Sequence, residues 1–142
     1  DGSWATPNKL TQSAGSNASI TGTTSYKMYG EAFSFTPVNT GRVAIFGSFR
    51  ALGTATSGTN GDDYASYYGT GTAPVNGAAF TGTQAFAIAC STPNGVINFY
   101  PLIGFVSGLS LNTAYWFDMA GLLGSSTATM QIYSPVLMFM EM

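Results

Sequence analysis

Histidine is absent from this 142-residue chain, cysteine occurs once, and charged residues make up 7%. Each shortage removes a class of function. Without histidine, neither a Ser-His-Asp nor a Cys-His triad can be built, and the zinc patterns lack their ligands. Cys90 has no partner for a disulfide within the chain. It lies between alanines with no cation near it in sequence, so it reads as a buried, inert thiol rather than a nucleophile. The four cations, Lys9, Lys27, Arg42 and Arg50, form no stripe. A phosphate-tracking surface needs several on one face, so nucleic-acid binding is not expected. Unbroken apolar runs reach about six residues, against the ~20 that a spanning helix needs, so no membrane insertion is expected. Residues 1–25 lack the basic and apolar regions of a secretion signal.

The missing charge is replaced by Gly, Ser, Thr and Asn, while hydrophobic residues stand at an ordinary 45%. Ordinary soluble chains carry about 25% charged residues. A polar surface with so little repulsion, at a net charge of −2, implies that other subunits cover part of it. The length fits one domain, which at this size buries about 68–70% of its unfolded surface without staples.

Helix periodicity is lacking throughout, and glycine and β-branched residues are spread along the chain. Short aromatic and aliphatic runs separated by turn clusters read instead as about seven strands. Residues 1–25 are polar, with Trp4, Leu10 and Ile20 as scattered anchors, and read as an extended arm pegged on a neighbour by Trp4 and Leu10. Residues 26–142 read as the folded domain. "KMYGEAFSFT" (27–36) is the first strand, and "RVAIFGSFRAL" (42–52) its expected hairpin partner. "YASYYGT" (64–70) and "QAFAIACS" (84–91) follow, joined by the glycine-rich connection 68–83. Pro74 bars that connection from a central strand, and "PVNG" makes a tight turn. "VINFYPLIGFV" (96–106) is interrupted by Pro101. "AYWFDMAG" (114–121) and "ATMQIYSPVLMFM" (128–140) close the chain.

In the last strand both parities are apolar: Val136, Met138 and Met140 alternate with Leu137 and Phe139. A strand covered on both faces reads this way. These five residues are the expected oligomer interface. Strands in regular succession with glycine-rich turns imply an antiparallel β-sandwich, and the two-sided strands favour an oligomeric jelly roll over an immunoglobulin- or fibronectin-like sandwich. "GLSLNTAYWFD" (108–118) has the form of a tyrosine corner, with Leu109 or Leu111 as anchor and Tyr115 supplying the hydroxyl.

Few residues offer chemistry. Glu31 and Asp118 both fall on expected strands, as a glycosidase carboxylate pair would, but Asp118 equally reads as a solvated outer-face residue. Asn60, Asp62 and Asp63 could supply calcium oxygens, without the spacing of a known calcium loop. Tyr64, Tyr67 and Trp116 are the candidate rings for stacking on a glycan. No catalytic residue, metal site or cofactor emerges, and the chain does not read as an enzyme.

Three stretches, "SYKMYGEAFSFTPVNTGRVAI" (25–45), "YYGTGTAPVNGAAFTGT" (67–83) and "VSGLSLNTAYWFDMA" (106–120), carry a resemblance to small structural proteins of tailed bacteriophages and prophages. "SFTPVNTGRV" also resembles the opening of trimeric jelly-roll heads of the tumour-necrosis-factor and C1q type. The resemblance implies a capsid decoration protein or short-fibre head. Such a protein is a homotrimer in the virion, assembled in the host cytoplasm, with phage capsid or tail proteins as partners. The alternative function is a receptor- or carbohydrate-binding module at a fibre tip, contacting a host surface glycan.

Overall fold

The computed structural model describes residues 10–21, 25–54, 62–90, 95–124 and 127–142. They form ten strands: β1 (Leu10–Ala14), β2 (Ala18–Thr21), β3 (Lys27–Met28), β4 (Phe33–Phe35), β5 (Val43–Thr54), β6 (Asp62–Thr70), β7 (Thr83–Cys90), β8 (Ile97–Val106), β9 (Tyr115–Leu122) and β10 (Thr129–Glu141). The protein is all-β, as the absence of helix periodicity requires. The strands make two five-stranded antiparallel sheets. In the first, β10 carries β1 and β2 on one side and β5 on the other, and β8 closes the edge. In the second, β9 carries β3 and β4 on one side and β6 on the other, and β7 closes the edge. The two sheets enclose one main core.

Four expectations are corrected. The described part of the supposed arm, residues 10–21, is not a free extension: β1 and β2 pair with β10 of the same chain. Residues 27–36 do not form one strand, because Gly30 and Ala32 take positive φ (74° and 49°) and split it into β3 and β4. β5 is not the hairpin partner of that segment. It lies in the opposite sheet between β10 and β8, where its alternating Val43, Ile45, Phe49 and Ala51 enter the core. Pro101, for its part, does not interrupt β8. Among the described residues that strand pairs only with β5, and an edge strand tolerates a proline.

Strand alternation fixes what each face does. On β10, Met130 and Ile132 are buried before a bulge, and Leu137 and Phe139 after it. The extra residue lies between Tyr133 and Val136, where Ser134 has φ 46°. It flips the parity, so both halves of the strand still send apolar residues inward. Phe139 meets Phe117 at 4.6 Å and Phe35 at 5.6 Å between ring centroids, and Phe49 meets Tyr64 at 4.6 Å. Burying each such ring stabilises the fold by about 1.5–3 kcal/mol.

A second, smaller core lies on the outer face of the second sheet. Met28, Ala65, Tyr67, Trp116 and Ala120 are buried there under Tyr26, Ala73 and Ala78. The cover is the glycine-rich connection between β6 and β7, whose Gly77 N–H donates to the Met28 carbonyl while Met28 N–H donates to Ala78. Gly82 (φ 85°) passes so close to Trp116 and the Tyr68 carbonyl that a Cβ there would clash. The Trp116 indole N–H donates to the Thr70 carbonyl at 3.2 Å.

Candidate functional site

The first sheet presents a face that no segment among the described residues seals from solvent. On β8 the odd-numbered residues Ile97, Phe99, Pro101, Ile103 and Phe105 all point outward, while Leu102, Gly104 and Val106 are buried. Phe99, Ile103 and Phe105 are 64%, 65% and 61% exposed. Beside them on β5 lies half-buried Phe46, in register with Ile103. Beyond it on β10 lie half-buried Val136, Met138 and Met140. The chain's sparse charge is nearly absent here; Arg50, in register with Phe99, and Arg42, near Phe105 at the end of the sheet, are the exceptions among the described residues. An apolar surface continuous over three strands is unusual on a soluble monomer and marks an interaction site.

A hollow of about 410 Å³ opens in this face. Phe46, Ser48, Pro101, Ile103, Val136 and Met138 line it, with Gly47 and Leu102 beneath. Its place follows from sequence: Ser48 pairs with Pro101 on one side and Val136 on the other. These short side chains stand between the larger Phe46, Ile103 and Met138. A second hollow of about 320 Å³ lies at the end of the sheet between Arg42, Phe105, Val106, Ser107 and Met142.

Of the five residues expected at the interface, Val136, Met138 and Met140 lie on this face. Leu137 and Phe139 do not: both are fully buried in the chain's own core, because successive residues of a strand point to opposite sides. The sequence reading missed Phe46, Ile97, Phe99, Ile103 and Phe105. The signal was the two-sided apolar pattern already noticed in β10. In β8 it was hidden by Pro101, which reads as a break. Leu10 pairs with Met140 across β1 and β10. Trp4 lies outside the described residues.

The candidate glycan rings are corrected. Tyr64 is 1% exposed in the main core, and Tyr67 and Trp116 are 5% and 7% exposed in the second core. Tyr67 and Trp116 do take outward positions on their strands, but the connection 71–82 folds back over them. None of the three presents a ring face to solvent. Asn60 lies outside the described residues, as do the side chains of Asp62 and Cys90.

The carboxylates are structural. Asp118 is fully buried rather than solvated. Its Oδ2 accepts the Gly30 N–H at 2.9 Å, and its Oδ1 accepts the N–H groups of Glu31 at 2.9 Å and Met119 at 2.8 Å. Both oxygens are thereby engaged, holding the positive-φ excursion that separates β3 from β4. Burial pushes its pKa up to about 6, against the lowering effect of those three donors. Glu141, also buried, accepts the N–H groups of Val38, Asn39 and Thr40 with Oε1, and the Asn39 side chain with Oε2. It shapes the turn before β5 in the same way.

Glu31 joins the two sheets. Its Oε2 accepts the Ser16 N–H at 2.7 Å. Ser16 lies between β1 and β2, where Gly15 N–H also donates to the Pro135 carbonyl and Asn17 Oδ1 accepts the Ser134 N–H. Burial raises the Glu31 pKa to about 7, with the Asp118 charge adding to the rise. The pair cannot face a sugar across a groove, because Asp118 is sealed. The tyrosine corner is present: Tyr115 Oη accepts the Ser110 N–H at 2.9 Å, and Leu109, not Leu111, is the buried anchor.

A scan against protein-family models finds no match, and a search of the curated proteins finds none. Among solved structures, the chain is similar to one described as "Structure of infectious bursal disease virus Gx strain". The match has 10% identity and a TM-score of 0.38, and it covers 94% of this chain and 33% of the other. This chain thus spans about a third of the length of the chain it matches.

Proposed function

We propose that this protein is a structural subunit of a virion, a capsid decoration protein or fibre head of the tailed-bacteriophage kind. It acts by assembling with copies of itself on phage capsid or tail proteins, without catalysis. One observation carries the reading: the row Ile97, Phe99, Ile103 and Phe105 stands exposed on an edge strand and continues through Phe46 to Val136, Met138 and Met140. Water contact on so much apolar surface is unfavourable by roughly 25 cal/mol per Å². A second copy brings the same face, on which Arg50, beside Phe99, is a charge that must stay at the rim of the contact or find a partner. The 7% charge content, far below that of chains that stay monomeric by repulsion, supports the same conclusion.

Strand order supports a jelly roll. With β1 and β2 counted as one strand, and β3 and β4 as another, eight strands result. The first, eighth, third and sixth make one sheet, and the second, seventh, fourth and fifth the other. That is the order of two interleaved Greek keys. It agrees with the resemblance of residues 34–43 to trimeric jelly-roll heads, and a homotrimer is the assembly this reading adopts.

The test is sedimentation velocity at micromolar concentration. The wild-type protein is expected to run as one stable oligomer. Ile103→Asp places a charge in the middle of the face without touching the core, and is expected to run as a folded monomer whose melting temperature equals that of the wild-type protein at high dilution. A wild-type protein that sediments as a monomer at tens of micromolar would remove the proposal.

A further inference from the structure

We infer that the hollow over Ser48 receives the Phe99 ring of a second copy of this chain. The inference rests on the self-assembly reading and specifies its contact.

The hollow needs an occupant of particular chemistry. Neither carboxylate nor cation lines it, and the Ser48 hydroxyl is its only polar side-chain group. A charged or strongly polar group would enter with nothing to replace its water. An aromatic ring would meet Phe46, Ile103, Met138 and Pro101 on its sides. The volume of about 410 Å³ falls in the range of clefts that bury small apolar ligands, so a phenyl ring fits with room for neighbouring side chains.

The same face supplies the ring. Phe99 is the most exposed aromatic residue among the described residues, at 64%, and it lines neither hollow of its own chain. It stands on the edge strand, where only β5 flanks it. Of the other large side chains of the face, Phe46, Ile103 and Met138 wall this hollow and Phe105 walls the second, while Ile97 and Met140 line neither but carry no ring. Projection and hollow lie one residue pair apart along β8, since Phe99 pairs with Arg50 and Pro101 with Ser48. That separation is about 7 Å. Two such faces brought together with a small offset place the ring of one over the hollow of the other. A two-fold arrangement makes the contact twice, and a head-to-tail ring makes it once at each interface. Aromatic side chains seated in desolvated pockets are where binding energy concentrates, so this pair is the anchor of the interface.

The experiment uses the full chain in a Cys90→Ala background. Phe99→Cys and Ser48→Cys proteins with different tags are mixed, allowed to exchange subunits and oxidised. A disulfide linking the two tags, absent when either protein is oxidised alone, is expected. In parallel, Phe99→Ala removes the ring and Ser48→Trp fills the hollow. Each is expected to raise the dissociation constant at least 10-fold, while Val75→Ala, on the opposite sheet's cover, leaves it unchanged. The melting transition of each variant at high dilution shows that the subunit remains folded. If Ile103→Asp disperses the oligomer but Phe99→Ala and Ser48→Trp do not, and no mixed disulfide forms, this inference is overturned and self-assembly stands. If the wild-type protein is monomeric, both fall.

Discussion

Glu31 sits where two interruptions meet. One lies between β1 and β2, opposite the bulge of β10; the other lies between β3 and β4, opposite Asp118. The Ser16–Glu31 hydrogen bond joins them, and a Cβ on Gly15 would run into the Glu31 carboxyl and Pro135. Burial of two neighbouring carboxyls gives stability a definite pH dependence. Glu31 rises from 4.5 to about 7 and Asp118 from 3.8 to about 6. Between the ordinary and raised values the folded state binds more protons than the unfolded state, so stability falls as pH rises. The contribution is complete below about pH 4 and lost as pH climbs through 6 and 7. The melting temperature is therefore expected to be higher at pH 5 than at pH 8. Glu31→Gln, which fixes a neutral side chain, is expected to flatten that slope. A melting temperature that climbs from pH 5 to 8, or a slope untouched by Glu31→Gln, would contradict this account. Sequence alone marked Glu31 and Asp118 as a pair, because both fell on expected strands. It could not show that their partners are backbone amides, since positive φ at Ala32, a residue without glycine's freedom, leaves no trace in composition.

At the scale of elements, the strands of the interior were legible and the devices that join them were not. Alternation identified β5, β6, β7, β8, β9 and β10 to within a few residues, because an apolar face leaves a period-two imprint. The split edge strands β1/β2 and β3/β4 are too short and too polar to leave one. The glycine-rich connection was read as a shaped turn but not as a cover, because its anchors Ala73 and Ala78 are small and Phe80, whose ring meets Tyr67 at 5.5 Å, stands isolated among turn residues. Its two closing glycines separate conformation from packing. Gly77 has φ 80° with open space around the missing Cβ, whereas Gly82 has φ 85° with Trp116 and the Tyr68 carbonyl against it. Gly77→Ala is expected to cost about 1 kcal/mol, the conformational term alone. Gly82→Ala adds a backbone clash and is expected to cost at least about 2 kcal/mol. Urea denaturation of both variants checks the ordering, and equal losses would mean that the cover does not press on Trp116.

At the scale of the whole molecule, the six methionines report which surfaces are closed. Met28, Met119 and Met130 are buried inside the chain, whereas Met138 and Met140 are half-buried on the apolar face. Peroxide reaches a thioether only where solvent does, and the sulfoxide it forms is polar enough to oppose reburial. In a lone subunit, Met138 and Met140 are therefore expected to oxidise well ahead of Met28, Met119 and Met130. In the proposed assembly a neighbour's face covers them, and their rates are expected to fall toward those of the buried three. Peptide mass spectrometry after brief peroxide exposure, across a dilution series spanning the dissociation constant, reads this directly. The protection of Met138 and Met140 must track the oligomer fraction, while the protection of Met28, Met119 and Met130 stays constant. Ile103→Asp must show the unprotected rates at every concentration. Rates at Met138 and Met140 that ignore concentration in a protein that does oligomerise would place the contact elsewhere and leave this face open to water. The logic runs from one strand to the proposed assembly: the bulge at Ser134 aims Leu137 and Phe139 inward and Val136, Met138 and Met140 outward, and among the described residues no segment seals the outward set.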